Sequence, residues 1–405
     1  MNSHPPRRHD GPAGHLVVLG SGPQVEWEHV LQRLAAAGPL LLIEPIEPTW
    51  QRSFAPEVHV VADMNPHQIL SAVRSFARTS PVDGALTFRP DQDRTVDLLR
   101  RELSLPAAAT ANVEAATLRH GMAQLLNAAG VDNSEALQAD TYDQALEAAH
   151  QVGFPLVCKP AAARLRYTAR RVNALPELAQ AFSAVATVAG HASGTVIEPL
   201  FNGIEATAHT IDSPAGPGII AMSHATFDPR AEPALVPLEG VVDADDVCAP
   251  AVEGVVSRAL SALGHRSGPA QVRLRITSTG PRVLSVSSHL TDPLLSQLIE
   301  QVTGIDLITQ AGDHARGATS HAQEKRLGAA AVHYLQDPAS NDVPASPTTH
   351  TRITPYAALC PYPVAHPVGP LYRSGHIRVS GTDYPQCTAR LQTALTELGT
   401  AQLTV

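Results

Sequence analysis

A lysine and a glutamate stand at the ends of two apolar runs and point to a nucleotide site. Phe154 to Lys159 is a short apolar run ended by a lysine and a proline, which is typical of a buried strand. Thr195 to Leu200 repeats the pattern with Glu198 near its end. An ammonium group can hold phosphates, and a carboxylate on a neighbouring strand offers a polar edge to a base. The two runs therefore predict a nucleotide-type pocket around Lys159 and Glu198.

The amino-acid composition and net charge of the chain limit the kinds of binding partner that we expect. The 405 residues have 44% hydrophobic content and a net charge of -9, which argues against nucleic acid and anionic membrane surfaces. No apolar run approaches the roughly 18 residues of a membrane span, and the N-terminus lacks the apolar core of a signal peptide. The four cysteines form no C-x-x-C pair, so neither a disulfide framework nor a thiolate metal site is indicated. We expect a soluble cytoplasmic protein with a small-molecule partner.

The N-terminal part reads as the opening of a parallel α/β unit. Residues 1–14 are rich in Pro, His, Arg and Gly and predict a disordered tail. A strand at His15 to Leu19, a helix at Val25 to Ala37 and a strand ending at Glu44 follow, and further strands are expected at Val58 to Val61 and Gly84 to Phe88.

The first turn of this unit partly matches a dinucleotide-binding fingerprint. Gly20-x-Gly22 follows the first strand, and Glu44 comes about twenty residues later. Val25 stands where the third glycine belongs, and any tight turn from a strand to a helix favours glycine. We interpret the match as a structural turn, with a cofactor site as the alternative.

The order of these features resembles the ATP-grasp superfamily, and within it the biosynthetic carboxylate-amine ligases. The resemblance is carried by Lys159, by Glu198-Pro199-Leu200, by Gly203-x-Glu205 and by Thr303-Gly304-Ile305-Asp306-Leu307. It covers residues 15–405. It implies an α/β protein with an ATP-grasp fold, an N-terminal Rossmann-like parallel-sheet domain and a C-terminal β-rich lobe. The ligases of this type join acids such as amino acids to amines, forming amide or peptide bonds through an acyl-phosphate.

The resemblance also implies domain boundaries and nucleotide contacts. The expected segments are a tail at 1–14, the Rossmann-like domain at 15–112, the ATP-grasp small lobe with linker helices at 113–195, the large lobe at 196–320 and its C-terminal β-rich part at 321–405. By the same resemblance, Glu198 and Leu200 lie in the linker that meets adenine, and Glu205 takes the ribose hydroxyls. Arg119 matches a lysine that contributes a cation, and Lys159 holds phosphate; an exposed helix arginine is the alternative for Arg119.

Two motifs depart from the family pattern. The glycine-rich loop that folds over the phosphates is replaced by AAARLRYTARR, which contains no glycine. Its arginines could hold an anion by side chains or belong to a solvated hairpin; they are Arg164, Arg166, Arg170 and Arg171.

The second departure lies in the hairpin that carries the magnesium ligands in the family, two glutamates and an asparagine. The matching positions here are Arg273, Ser285 and Ser287. Magnesium is usually held by one or two carboxylates with phosphate and water, so this set argues against magnesium, although ATP stays compatible with the pocket. Arg273 either replaces the metal charge or blocks the site. His289 stands where the family has an arginine near the transferred phosphate, with a packing role as the alternative.

These departures leave three functional hypotheses open. A working ligase would use Lys159, Arg119 and Arg273 to hold the anionic oxygens, with a carboxylate and an amine as substrates. A pseudo-ligase would bind a metabolite, a nucleotide or a partner protein, and a third possibility is a different reaction in the old pocket. We expect a protein of the carboxylate-amine ligase type with impaired or lost magnesium-ATP catalysis. Dimers are common in the family, so a homodimer or a partner ligase is a further expectation.

Overall fold

The strands form three sheets in the part of the chain that the computed structural model describes. That part consists of residues 14–106, 118–131, 135–161, 169–189, 194–213, 216–227, 237–243, 250–288, 293–318, 328–335, 351–361 and 372–397. The sheets follow one another along the sequence. Within these ranges, no helix has both the length and the apolar character needed to cross a bilayer.

The first sheet is parallel and is built from continuous apolar runs. Its order is β3-β2-β1-β4, with β1 His15–Leu19, β2 Leu40–Glu44, β3 Glu57–Val60 and β4 Val82–Leu86. Every residue of β2 is buried, as expected for a parallel strand that is covered on both faces. The helices α1 Gln24–Ala36, α2 Pro66–Phe76 and α3 Asp93–Glu102 flank it. The predicted strand-helix-strand opening is confirmed.

The second sheet is smaller and antiparallel. Its order is β5-β8-β6-β7, with β5 Leu137–Ala139, β6 Leu156–Pro160, β7 Arg170–Val172 and β8 Thr195–Pro199. Helix α4 Arg119–Ala128 precedes it, and α5 Tyr142–Val152 and α6 Leu175–Ala189 pack on it. A capping box fixes the start of α5, because the Thr141 side chain and the Gln144 side chain each accept a hydrogen bond from the other residue's backbone N–H.

The third sheet has eight antiparallel strands in the order β13-β12-β9-β10-β11-β14-β16-β15. They are β9 Ile204–Ser213, β10 Gly216–Phe227, β11 Pro237–Asp243, β12 Ala270–Thr277, β13 Gly280–Ser287, β14 Ala329–Leu335, β15 Thr351–Pro361 and β16 Tyr372–Gly381. Four helices accompany it: α7 Pro250–Ala262, α8 Pro293–Thr303, α9 Leu307–Ala315 and α10 Tyr384–Glu397.

Strand β1 ties the first sheet to the third. Leu16 and Val18 belong to a core that also contains residues of α1, α8, α9 and the third sheet, whereas Val17 and Leu19 pack with α2 and α3. Successive side chains of a strand point to opposite faces, so one apolar run supplies both cores. The first and third sheets therefore share one apolar core.

Strand β11 is not predicted from the sequence. It contains proline, glycine and acidic residues and lacks an alternating pattern, yet it is paired with β10 on one side and β14 on the other. Pairing on both sides outweighs its weak strand propensity. Nearly all of the predicted tail lies outside the described residues.

The contact between α9 and β4 can be tested at Gly84. A β-carbon on Gly84 would overlap the backbone carbonyl of Ala315, which is the last residue of α9. We expect Gly84→Ala to lower the free energy of unfolding by about 1–3 kcal/mol, because backbone atoms must shift to accommodate the methyl group. Urea denaturation followed by tryptophan fluorescence measures this change.

A glycine within α7 provides the matched control. The nearest atom to a β-carbon on Gly254 is Nη1 of the flexible Arg258 side chain, at 3.3 Å. Gly254→Ala should therefore raise the free energy of unfolding by about 0.5–1 kcal/mol. An unchanged midpoint for Gly84→Ala would contradict the described packing of α9 on β4.

Candidate functional site

Lys159 and Glu198 form an ion pair within the second sheet. Strands β6 and β8 are antiparallel neighbours, and their register places Lys159 opposite Val196 and Glu198 opposite Val157. The two side chains lie on one face at diagonal positions, and Nζ of Lys159 donates to Oε2 of Glu198. Only 11% of the lysine side chain and 18% of the glutamate side chain are exposed.

Other cations act on this lysine. Burial lowers the pKa of Lys159, the Glu198 carboxylate opposes that effect, and the positive charges of Arg119 and Arg273 lower the pKa further. Arg119 and Arg273 therefore lie near enough to Lys159 for their charges to act on it. The sequence-predicted cations are therefore brought together.

Glu205 is held by two arginines of the neighbouring strand. Strand β9 pairs with β12 so that Glu205 lies opposite Arg275 and Thr207 lies opposite Arg273. Oε1 of Glu205 accepts hydrogen bonds from Nε of Arg273 at 3.2 Å and from its Nη2, and Oε2 accepts one from Nη2 of Arg275 at 3.0 Å. Nη1 of Arg275 also donates to the carbonyl oxygen of Gly203 at 3.2 Å. We name Glu205, Arg273 and Arg275 the arginine clamp.

The arginine clamp keeps the Glu205 carboxylate charged. Only 6% of the Glu205 side chain is exposed, and this burial acts to raise its pKa. The charges of Arg273 and Arg275 outweigh burial, so that the pKa of Glu205 lies below its ordinary value. Both carboxylate oxygens already accept hydrogen bonds from guanidinium groups. Glu205 could take ribose hydroxyls only by sharing or giving up these bonds.

Arg119 and Leu200 are tied to the second sheet. Arg119 begins α4 and is buried; its Nε donates to the carbonyl oxygen of Pro160 at 3.1 Å, and its backbone N–H donates to that of Ala161 at 2.9 Å. The backbone N–H of Leu200 donates to the carbonyl oxygen of Pro155 at 3.1 Å. The Leu200 N–H and the Glu198 carboxylate, both expected near adenine, are thus engaged within the protein.

The positions expected to bind magnesium do not fit that ion. Strands β12 and β13 pair Arg273 with Ser285 and Gln271 with Ser287. The three matching side chains are one guanidinium and two hydroxyls, and the guanidinium is bound to Glu205. Across the described ranges, no group of three or more His, Cys, Asp and Glu side chains is arranged to hold a metal ion. A hard divalent cation needs carboxylate charge that this hairpin lacks.

The arginine-rich segment is described only at its end. Residues 162–168, which include Arg164 and Arg166, lie outside the described residues, and so does His289. Arg170 is buried in β7, where its Nη1 donates to the carbonyl oxygen of Ala169 at 3.3 Å, whereas Arg171 is exposed and binds Asn173. Adjacent residues of a strand face opposite sides, so Arg170 and Arg171 do not act on one anion together.

Sequence reasoning missed one member of the arginine clamp. Arg275 was not singled out, although the order Arg-Leu-Arg in a strand places Arg273 and Arg275 on the same face. The signal was therefore present in the alternation of β12. The partner of the two arginines was not readable, because Glu205 lies 70 residues away from Arg275 in the chain.

We expect removal of the Glu205 charge to destabilise the protein in a pH-dependent manner. Glu205→Gln leaves two arginines without their counter-ion and should cost about 3 kcal/mol at pH 7, the lower end for a broken buried pair, because Arg273 keeps some contact with water. The folded-state pKa of Glu205 is below its ordinary value of 4.5, so the unfolded state binds more protons between the two values. The stabilisation is complete above the unfolded-state pKa and is lost as pH falls through the folded-state pKa. Denaturation of both proteins between pH 7 and pH 3 measures it.

An exposed ion pair provides the control for this prediction. Arg74 and Glu102 form a pair whose side chains are 49% and 43% exposed. Glu102→Gln should change the free energy of unfolding by about 1 kcal/mol at most. A stability difference for Glu205→Gln that stays constant down to pH 3 would contradict the assignment of the charge to Glu205.

Comparison with known proteins gives matches in structure and none in sequence families. No family model matches the sequence, and no curated protein matches it significantly. The L-amino acid ligase from Bacillus licheniformis is 15% identical, with a TM-score of 0.76 over 95% of this chain and 97% of that chain. The N5-carboxyaminoimidazole synthetase from Staphylococcus aureus, complexed with ADP, is 13% identical, with a TM-score of 0.72 over 96% of this chain and 100% of that chain.

A third neighbour belongs to a different kind of enzyme. The biotin carboxylase from Campylobacter jejuni, described as a β-γ-ATP complex, is 16% identical and has a TM-score of 0.68 over 95% of this chain and 91% of that chain. These neighbours are ATP-grasp enzymes. At such low sequence identity the similarity establishes architecture alone, and that architecture combines a parallel sheet with two antiparallel sheets in the same way. The chain has the ATP-grasp fold.

Proposed function

We propose that this protein is an ATP-grasp protein of the carboxylate-amine ligase type in which magnesium-dependent ATP catalysis is impaired or lost. The observation that carries the proposal is the arginine clamp, in which Arg273, which the resemblance aligns with a metal ligand, is bound to Glu205. A carboxylate at position 273 would attract a metal ion, whereas a guanidinium repels one. The nearby Ser285 and Ser287 supply hydroxyls alone, which do not replace that charge.

The charges of the pocket favour an anion without a metal. The four cations are Arg119, Lys159, Arg273 and Arg275, and the two carboxylates are Glu198 and Glu205, which leaves a surplus of about two positive charges. In a magnesium-dependent site, the metal ions bridge the phosphates and neutralise the charge that develops during transfer. Here, side-chain cations would take over part of that neutralisation. Phosphate oxygens can be bound in this way, but all four cations already donate hydrogen bonds within the protein.

The similar structures support a nucleotide-shaped pocket. One neighbour was crystallised with ADP and another is described as a β-γ-ATP complex. Retention of the same fold with Lys159 and Glu198 on adjacent strands favours a pocket derived from a nucleotide site. If the protein is active, its substrates are a small-molecule carboxylate and an amine, and the product is an amide or peptide bond. If it is not, the same pocket would bind a nucleotide, a metabolite or a partner protein.

Calorimetric titration with ATP and with ADP distinguishes these alternatives. Each nucleotide is titrated once with magnesium and once with EDTA. We expect no tighter binding of ATP in the presence of magnesium, because the hairpin lacks a carboxylate at all three positions. Binding that is equal in magnesium and EDTA would indicate a nucleotide held by arginines. Magnesium-dependent ATP binding with release of ADP from an acid and an amine would contradict the proposal and indicate a working ligase.

A triple variant tests whether the old metal site can be rebuilt. We expect Arg273→Glu, Ser285→Glu and Ser287→Asn together to make ATP binding at least about tenfold tighter with magnesium than with EDTA, or about 1.4 kcal/mol. In the same background, Lys159→Met should remove that gain, because it takes away the ammonium group expected to hold phosphate. The proposal is wrong if the triple variant gains no magnesium dependence while Lys159→Met abolishes an ATP-dependent activity of the unmodified protein.

A further inference from the structure

A second polar site lies in the first sheet. The sheet order β3-β2-β1-β4 means that the chain leaves β1 toward β2 on one side and returns to β4 on the other. In open parallel sheets, ligands bind outside the carboxyl ends of the strands at such a switch point. Ser21 follows β1, Glu44 ends β2, and Arg89 follows β4, so all three lie at this edge.

Glu44 is the most deeply buried acid of this edge and is only half satisfied. The residue is only 4% exposed. Ser21 lies beside the Glu44 carboxylate and acts to lower its pKa, and the Ser21 hydroxyl oxygen accepts a hydrogen bond from Nε2 of Gln51 at 3.1 Å. Oε1 of Glu44 is buried and has no hydrogen-bond partner among the described residues. Gln51 and Ser21 therefore stand beside a carboxylate that has one oxygen without a donor.

The nearby arginine does not neutralise Glu44. Arg89 donates from Nε to Oδ1 of Asp91 at 3.2 Å and from Nη2 to Oδ2 at 3.1 Å, a bidentate pair. Burial acts to raise the pKa of Asp91, but the hydrogen bonds and the charge of Arg89 lower it below its ordinary value. Asp91 is therefore ionised and is the counter-ion of Arg89. Arg89 is therefore engaged by Asp91, and Glu44 is left without a hydrogen-bonded counter-ion among the described residues.

A second acceptor lies in the same group. Gln92 is 5% exposed, and its Nε2 donates to Oδ2 of Asp91 at 3.2 Å. Its Oε1 is buried and, within the described residues, finds no donor. We name Ser21, Glu44, Gln51, Arg89, Asp91 and Gln92 the N-terminal polar cluster. Two buried oxygen atoms without donors are costly, so the N-terminal polar cluster is suited to a ligand that supplies N–H groups.

We propose that the N-terminal polar cluster binds the ammonium group of a small primary amine, with the Glu44 carboxylate as its counter-ion. An ammonium group supplies one positive charge and three N–H donors, which suit a buried carboxylate whose Oε1 lacks a donor among the described residues. This assignment deepens the proposed function. The claim that the cluster holds the amine substrate of a ligase rests on the proposed function, whereas the claim that the cluster binds an amine does not. The turn after β1 argues against a dinucleotide as the ligand, because Val25 stands where the dinucleotide-binding fingerprint has its third glycine.

The pH dependence of amine binding has a defined sign. Burial raises the pKa of Glu44, while hydrogen bonds from Ser21 and the charge of Arg89 oppose that rise. The ammonium ion binds the ionised carboxylate, so its affinity should fall when pH is lowered through this raised pKa. The other titratable groups at this edge, Asp91 and Arg89, are paired with each other.

The tryptophans of the protein report on this cluster. The chain contains two, Trp27 and Trp50. The indole of Trp27 packs so closely on Gly22 that a β-carbon there would overlap it, and Trp50 directly precedes Gln51 in a short 3-10 helix. Neither tryptophan lies in the second or third sheet, where Lys159 and the arginine clamp are placed. A change in tryptophan emission therefore reports on events at the N-terminal polar cluster.

The experiment titrates the full-length protein with ethylammonium chloride and follows tryptophan emission at constant ionic strength. Tetramethylammonium chloride is the control, because it carries the same charge without an N–H group. We expect a saturable change with ethylammonium at millimolar concentration, the range for so small a ligand, and none with tetramethylammonium. An equal response to both ions, or no response to ethylammonium, would overturn the proposal. A response to NAD without one to ethylammonium would also overturn it, in favour of a dinucleotide site.

Two variants test the residue assignment. Glu44→Gln keeps the shape and removes the charge, and should weaken ethylammonium binding at least tenfold without loss of fold. The matched control is Glu47→Gln, because the Glu47 side chain is 72% exposed and pairs with Arg52 on the surface; its binding should be unchanged. Equal affinity in Glu44→Gln and the unmodified protein would refute the role of Glu44. The comparison of the two ammonium ions uses the unmodified protein, so it remains decisive whether or not a variant folds.

The outcome is independent of nucleotide binding. If the protein binds ethylammonium but the triple variant gains no magnesium dependence, the amine site is supported and the proposed ligase ancestry of the pocket is not. A protein with the reverse behaviour would keep the proposed function and lose the amine site. Calorimetry with nucleotides thus tests the proposed function, and fluorescence with amines tests the amine site, independently of each other.

Discussion

The Glu205 carboxylate between two guanidinium groups constrains the third sheet. A buried carboxylate must find opposite charge or hydrogen bonds, and Glu205 obtains both from Arg273 and Arg275. This requires β12 to lie beside β9 in one register, because a shift by one residue would turn both arginines to the opposite face. Through β12, the same register fixes where the β13 hydroxyls stand. The placement of Arg273, Arg275 and their counter-ion therefore follows from one strand pairing.

Two buried glutamates of this protein, Glu205 and Glu44, have opposite surroundings. Glu205 meets donors on both oxygens and has a lowered pKa, whereas Glu44 meets donors on one side and has a raised pKa. The difference arises from neighbours and not from burial, since both residues are almost completely covered. The first arrangement satisfies the charge within the protein, whereas the second leaves one acceptor without a donor among the described residues.

The sequence predicted the elements of this fold better than the contacts between them. Continuous apolar runs identified β1, β2, β6 and β8, and they also placed Lys159 and Glu198 on neighbouring strands. Strand β11 escaped prediction because its proline, glycine and acidic residues conceal a strand that is stabilised by partners on both sides. Arg273 was readable from the sequence as a candidate site residue. Its pairing with Glu205 was not, since the register of strands far apart in sequence depends on tertiary packing.

The placement of the ion pairs bears on motion between the lobes. Lys159 and Glu198 both belong to the second sheet, and all members of the arginine clamp belong to the third. Residues 200–203 alone connect β8 to β9. A rotation of one sheet against the other about this short connection would separate neither of these ion pairs, so their attraction would not oppose it. Helix α4 would oppose it, because its Arg119 binds the end of β6 and its Met122 and Leu126 share an apolar core with α7 and the third sheet.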